Sequence, residues 1–122
     1  PFVWNPHFPL NTAHLMRAAI FAEGKDWERD FIDAVYKACW ISGDNMSDPL
    51  IAAREMGADG LPGAAIMAAS QDASTNTALR AATAAAVERG VFGAPTMFVG
   101  VEMFFGKDSL AEMEAEIVDQ ST

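Results

Sequence analysis

Cysteine and basic residues are both scarce in this chain. Cys39 is the only cysteine among 122 residues. No disulfide can close within the chain, and it holds no CxxC redox or zinc motif. Lysine and arginine total 8 against 17 aspartates and glutamates, a formal charge of −9. A non-specific nucleic-acid binder needs a basic stripe to displace counterions, and docking on an anionic membrane needs a polybasic segment. Neither partner is therefore expected. A bound anion is still compatible, because a helix N-terminus can hold one locally. Long apolar runs are missing too. The alanine-rich stretch from Ala64 to Val87 is interrupted by Ser70, Gln71, Asp72, Asn76 and Arg80, short of membrane-spanning length. The start, Pro1-Phe2-Val3-Trp4, has no basic n-region and no initiator Met. It reads as a cytoplasmic chain without a secretory leader, and as one with something missing upstream.

What is present suffices for a core. Half of the residues (51%) are hydrophobic and 20% are charged, the balance of one globular domain rather than a disordered segment. Phe2-Val3-Trp4 is short, aromatic and β-branched, and reads as a strand end running into Asn5-Pro6. Two prolines keep residues 5–9 out of a helix. Asn11 or Thr12 then caps a helix to about Gly24, with Leu15, Ala18, Ala19 and Ala22 inward. Asp26 caps a second, from Trp27 to about Ile41. That helix carries two apolar stripes, Trp27/Phe31/Val35/Ala38 and Ile32/Tyr36/Trp40, which predicts contact on two sides. Ser47-Asp48-Pro49 starts a short helix to Gly57, and Leu61-Pro62 opens another to about Ser70. A longer one runs from Asp72 or Ser74 to Gly90, and its small apolar residues Leu79, Ala82, Ala86 and Val87 permit close packing.

The pattern then changes. Residues 96–99 and 102–105 read as strands joined through Gly100-Val101, a type II′ hairpin, before a last helix from about Asp108 to Val118 with Leu110, Met113 and Ile117 inward. The order is strand, about five helices, hairpin, helix. One strand and one hairpin make a poor sheet with unpaired apolar edges, and a further strand upstream would mend it.

Three segments carry a family resemblance. Trp4-Asn5-Pro6-His7-Phe8-Pro9-Leu10-Asn11-Thr12 resembles the loop after the second strand of 2-hydroxychromene-2-carboxylate isomerases. Gly90-Val91-Phe92-Gly93-Ala94-Pro95-Thr96 resembles their cis-proline segment, and Glu102-Met103-Phe104-Phe105-Gly106-Lys107-Asp108 their glutathione-holding turn. The group extends to kappa-class glutathione transferases and DsbA-like oxidoreductases. The resemblance implies an α/β, thioredoxin-like fold of the DsbA/kappa-class type with a large helical insertion, incomplete at its N-terminus. Residues 1–10 and 91–122 would be the thioredoxin-like part and residues 11–90 the insert. It implies glutathione as cofactor, a small aromatic substrate and a homodimer. The first strand and helix, with their catalytic serine or cysteine, would precede this chain, so no catalytic residue is expected in it and no turnover from it alone.

The expected sites follow residue by residue from that resemblance. A cis bond at Ala94-Pro95 would expose the Ala94 backbone for strand-like pairing with glutathione; the residues by themselves would equally give an ordinary trans proline. Around Phe105, Gly106 and Lys107, free N–H groups would hold a glutathione carboxylate, while Asp108 would accept from the γ-glutamyl amine or simply add first-turn charge to its helix. Asn5, fixed by Pro6, would hydrogen-bond the substrate or satisfy its own turn. Tyr36 and Trp40 would wall an aromatic pocket or lie in the core. His7 and His14 match no metal template; His7 is expected in loop packing, His14 on a helix surface and Cys39 buried. Two rivals stand beside the isomerase: a DsbA-like thiol–disulfide oxidoreductase or kappa-class-like transferase, and a non-catalytic glutathione-binding module.

Overall fold

A computed structural model describes residues 1–122. The chain divides into two compact units, Pro1–Ala82 and Thr83–Thr122. The first unit is helical: α1 (Ala13–Ala22), α2 (Glu28–Lys37) continued by one π-helical turn (Ala38–Ser42), α3 (Pro49–Ala58), α4 (Gly63–Ala69) and the start of α5 (Ala73–Glu88). The second holds the end of α5, the strands β1 (Thr96–Val99) and β2 (Glu102–Phe105), a 3-10 turn (Lys107–Ser109) and α6 (Leu110–Gln120).

In the first unit, α1 packs on α2 and α4, and α3 on α4 and α2. Its core joins Leu15, Ala18 and Ala22 of α1 to Phe31, Ala34 and Ala38, then to Ala52, Met56, Ile66 and Met67. Many of these are alanines, so the helices approach closely. The limit is reached at Gly63, where any Cβ would collide with the Ala53 carbonyl of α3. Asp48 caps α3 as expected, its carboxylate accepting from the Leu50 N–H at 2.8 Å with Pro49 in the first turn.

Several local expectations change. Residues 2–4 form no strand; the Val3 N–H donates instead to the carbonyl of Trp40, in the middle of the π turn, at 2.8 Å. The helix after Gly24 is capped in position by Trp27 without a side-chain bond, not by Asp26, because Lys25 and Glu28 close a turn of their own. At α1, Thr12 holds the cap position while the Asn11 side chain accepts from the Ala13 N–H. The π turn ends at Gly43, whose φ of +75° lets the N–H groups of Gly43 and Asp44 both reach the Ala38 carbonyl.

The second unit is a hairpin with flanking helix. Thr96 pairs with Phe105, Met97 with Phe104, Phe98 with Met103 and Val99 with Glu102. Gly100 takes φ +59° and Val101 does not have a positive φ, the signature of the expected II′ turn. The Arg89 guanidinium lies 3.5 Å from the centre of the Phe98 ring, and Phe92 meets Phe105 at 4.7 Å. Leu110 and Ile117, expected inward, are about half exposed (50% and 46%), and the small apolar residues of α5 are largely exposed as well.

Candidate functional site

The residues assigned to a glutathione grip lie in the second unit, and a hydrogen bond joins their two segments. The Ala94–Pro95 bond is cis. The Pro95 carbonyl accepts from the Gly106 N–H at 2.9 Å, directly after the Thr96–Phe105 pair. Ala94 is exposed and lies two residues before Thr96, the first residue of the ladder, next to Pro95 at the hairpin end. The bend there is tight: a Cβ on Gly93 would meet the Phe105 ring at 2.7 Å, and the Thr96 hydroxyl donates to the Gly93 carbonyl at 2.6 Å. Because Gly106 gives its N–H to Pro95, the first N–H groups of the following turn, those of Lys107 and Asp108, are its remaining donors. Lys107 and Asp108 pair with each other at 2.8 Å, both almost fully exposed. The turn thus presents backbone donors, one cation and one carboxylate, a donor set that suits a zwitterionic peptide.

Asn5, Pro6 and Tyr36 lie in the first unit. Asn5 is buried, and its amide is fully engaged. Nδ2 donates to the Cys39 carbonyl at 2.8 Å and to the Asp44 carbonyl at 2.9 Å, while Oδ1 accepts from the His7 N–H at 2.8 Å. This corrects the expectation of a substrate-facing amide: no Asn5 N–H is left over. The side chain ties the Pro-rich loop to the end of the π turn, satisfying carbonyls that a helix C-terminus leaves open. Pro6 is exposed and backs onto Gly43.

Tyr36 is 66% exposed. It shares an open cavity of about 360 Å³ with Phe2 and Trp40, rimmed by Asp33 and Lys37. Trp40 anchors a cluster of four aromatic rings: Phe2 stacks on it at 5.6 Å, Phe8 lies at 6.2 Å and Trp4 at 6.1 Å. Its signal in the sequence is the set of aromatics at positions 2, 4 and 8 around Asn5-Pro6, of which Phe2 and Trp4 fall in the expected strand end and Phe8 in the loop after it. The Phe8–Pro9 bond beside it is also cis.

His14 was expected at a helix surface and is buried, with no hydrogen-bond partner for Nε2. Burial lowers its pKa from the ordinary 6.5; a bond with the Met46 backbone opposes the shift, Arg17 adds to it, and Asp48 opposes it. Helical spacing alone hides this residue, since position 14 borders the Leu15/Ala18 stripe. Cys39 is a buried thiol whose pKa is raised, first by burial and then by the charge of Asp44.

Residues 1–118 match the DsbA-like thioredoxin domain, and the chain belongs to that family. Among curated relatives, a 2-hydroxychromene-2-carboxylate isomerase of Sphingobium xenophagum is 34% identical over 103 residues, covering 84% of this chain and 52% of the relative. One from Pseudomonas sp. (strain C18) is 38% identical over 112 residues, covering 88% of this chain and 51% of the relative. The chain spans about half the length of the curated relatives it matches. A solved 2-hydroxychromene-2-carboxylate isomerase superposes with a TM-score of 0.83 at 24% identity, over 99% of this chain and 59% of that one. The thioredoxin-like fold is thereby shown. No helix is long and apolar enough to cross a membrane.

Proposed function

We propose that this chain supplies the peptide grip and part of the substrate wall of a glutathione-dependent isomerase acting on 2-hydroxychromene-2-carboxylate-like compounds. The observation that carries the reading is the Gly106 N–H to Pro95 carbonyl bond. It holds a strand edge at Ala94 beside a turn that offers backbone N–H groups and the Asp108 carboxylate. An extended peptide would pair along the Ala94 backbone. Its carboxylate would meet the N–H groups of Lys107 and Asp108, and its amine the Asp108 side chain. The relatives' names support the reaction class.

Bound glutathione would supply a thiol whose reversible addition turns a locked double bond into a single bond free to rotate. The chain's own residues position rather than react. Asn5 holds the loop that carries Pro6, and Tyr36 offers an exposed ring beside Trp40. None of these groups activates a thiolate. Cys39 does not supply a competing redox centre, since its thiol is buried and its pKa raised.

The test is to give these 122 residues 2-hydroxychromene-2-carboxylate with and without glutathione, follow its absorbance, and measure glutathione binding by calorimetry. Binding without turnover is expected. Turnover by this chain alone would overturn the division of roles, and absence of glutathione binding would overturn the grip.

A further inference from the structure

A second cavity, of about 180 Å³, lies in the first unit between α1 and the α2–π segment. From α1 and its cap it is lined by Thr12, Leu15 and Met16, which share one face at i, i+3, i+4 spacing. From the other side come two i, i+4 pairs, Val35 with Cys39 and Tyr36 with Trp40. The π turn that carries Cys39 and Trp40 is the kind of helix widening that recurs at functional sites.

The lining has no charge. Its polar side-chain groups are two hydroxyls, the Trp40 indole N–H and a thiol, and burial and the charge of Asp44 both raise the pKa of the Cys39 thiol, favouring its neutral form. The neighbouring cavity on the other side of Tyr36 and Trp40 differs, with Asp33 and Lys37 on its rim. A dry apolar cavity of roughly 150 Å³ takes a benzene-sized guest, so the volume suits one aromatic ring. We infer that this cavity is a binding site for an uncharged single-ring aromatic molecule. The inference goes beyond the proposed isomerase, because a carboxylated substrate would find no cation here. The ring would lie between the Trp40 and Leu15 side chains, over Cys39, with a ring hydroxyl in reach of Thr12 or Tyr36. Met16, 46% exposed, stands at the mouth.

The test is an amide NMR titration of the chain with phenol, and separately with benzoate. Saturable shifts confined to residues around Leu15, Val35 and Cys39 are expected with phenol, and benzoate is expected to bind at least tenfold more weakly. Cys39→Leu fills the floor and Met16→Trp closes the mouth from an exposed position, so the second keeps the test valid if the first disturbs the fold. Each should weaken phenol binding at least tenfold. No saturable shift would overturn the inference. So would shifts centred on Phe2, Trp4 and Phe8, benzoate binding as tightly as phenol, or unchanged binding in a folded Met16→Trp variant.

Discussion

Replacing Asn5 with alanine separates a structural asparagine from a substrate-binding one. The substitution removes three hydrogen bonds, two donated to the Cys39 and Asp44 carbonyls and one accepted from His7. The Cys39 bond is fully buried and the other two partly so. A lost bond costs about 1 kcal/mol, and more where a buried partner stays unsatisfied. The expected loss is about 3 kcal/mol of stability. With a urea m-value of about 2 kcal/mol/M, the midpoint falls by about 1.5 M. Asn5→Asp sharpens the test. It keeps the acceptor for His7 but turns a carboxylate toward two carbonyls, so it should cost at least as much as alanine. Urea melts of the three proteins by far-UV circular dichroism give the answer. A midpoint for Asn5→Ala within 0.3 M of the parent would refute the structural reading and return Asn5 to the substrate.

Two further outcomes follow from the packing of the first unit. Gly to Ala in a helix normally stabilises by up to about 1 kcal/mol, but Gly63→Ala should destabilise by about 1–3 kcal/mol or more because its Cβ meets the Ala53 carbonyl; a raised melting temperature would contradict that contact. His14 has a folded pKa below the ordinary 6.5. As pH falls through 6.5 the unfolded chain takes up this proton first, so stability drops from there down to the folded pKa and is fully restored above 6.5. His14→Gln should remove that contribution, and a pH–stability curve unchanged by the substitution would contradict it.

The helices were legible because their caps and breakers are local. Asp48-Pro49 and the glycines after α1 and α5 mark ends wherever the chain goes. The hairpin was legible for the same reason, since Gly100 alone provides the positive φ of its turn. Phe2-Val3-Trp4 was misread because β-branched and aromatic residues describe a half-buried surface rather than a strand. Here that surface is the Trp40 ring and the end of the π turn. The π turn itself leaves no mark in the sequence, because Ala38 to Ser42 have ordinary helical spacing. His14 shows the same limit: a stripe at i, i+3, i+4 does not say how wide the buried face is. Within the candidate site, the segments around Pro95 and Gly106 were found by resemblance. The residues alone would have left Asp108 as a helix-start charge.

The central claim is that Ala94-Pro95 and the Phe105–Asp108 turn form a grip for glutathione. Its most direct test is an amide NMR titration of this chain with reduced glutathione, repeated on Asp108→Asn. The account predicts saturable shifts centred on Ala94, Gly106, Lys107 and Asp108. Affinity should fall about tenfold in the variant, which loses a charge-assisted bond. Saturable shifts confined to the first unit, or no binding at all, would contradict it.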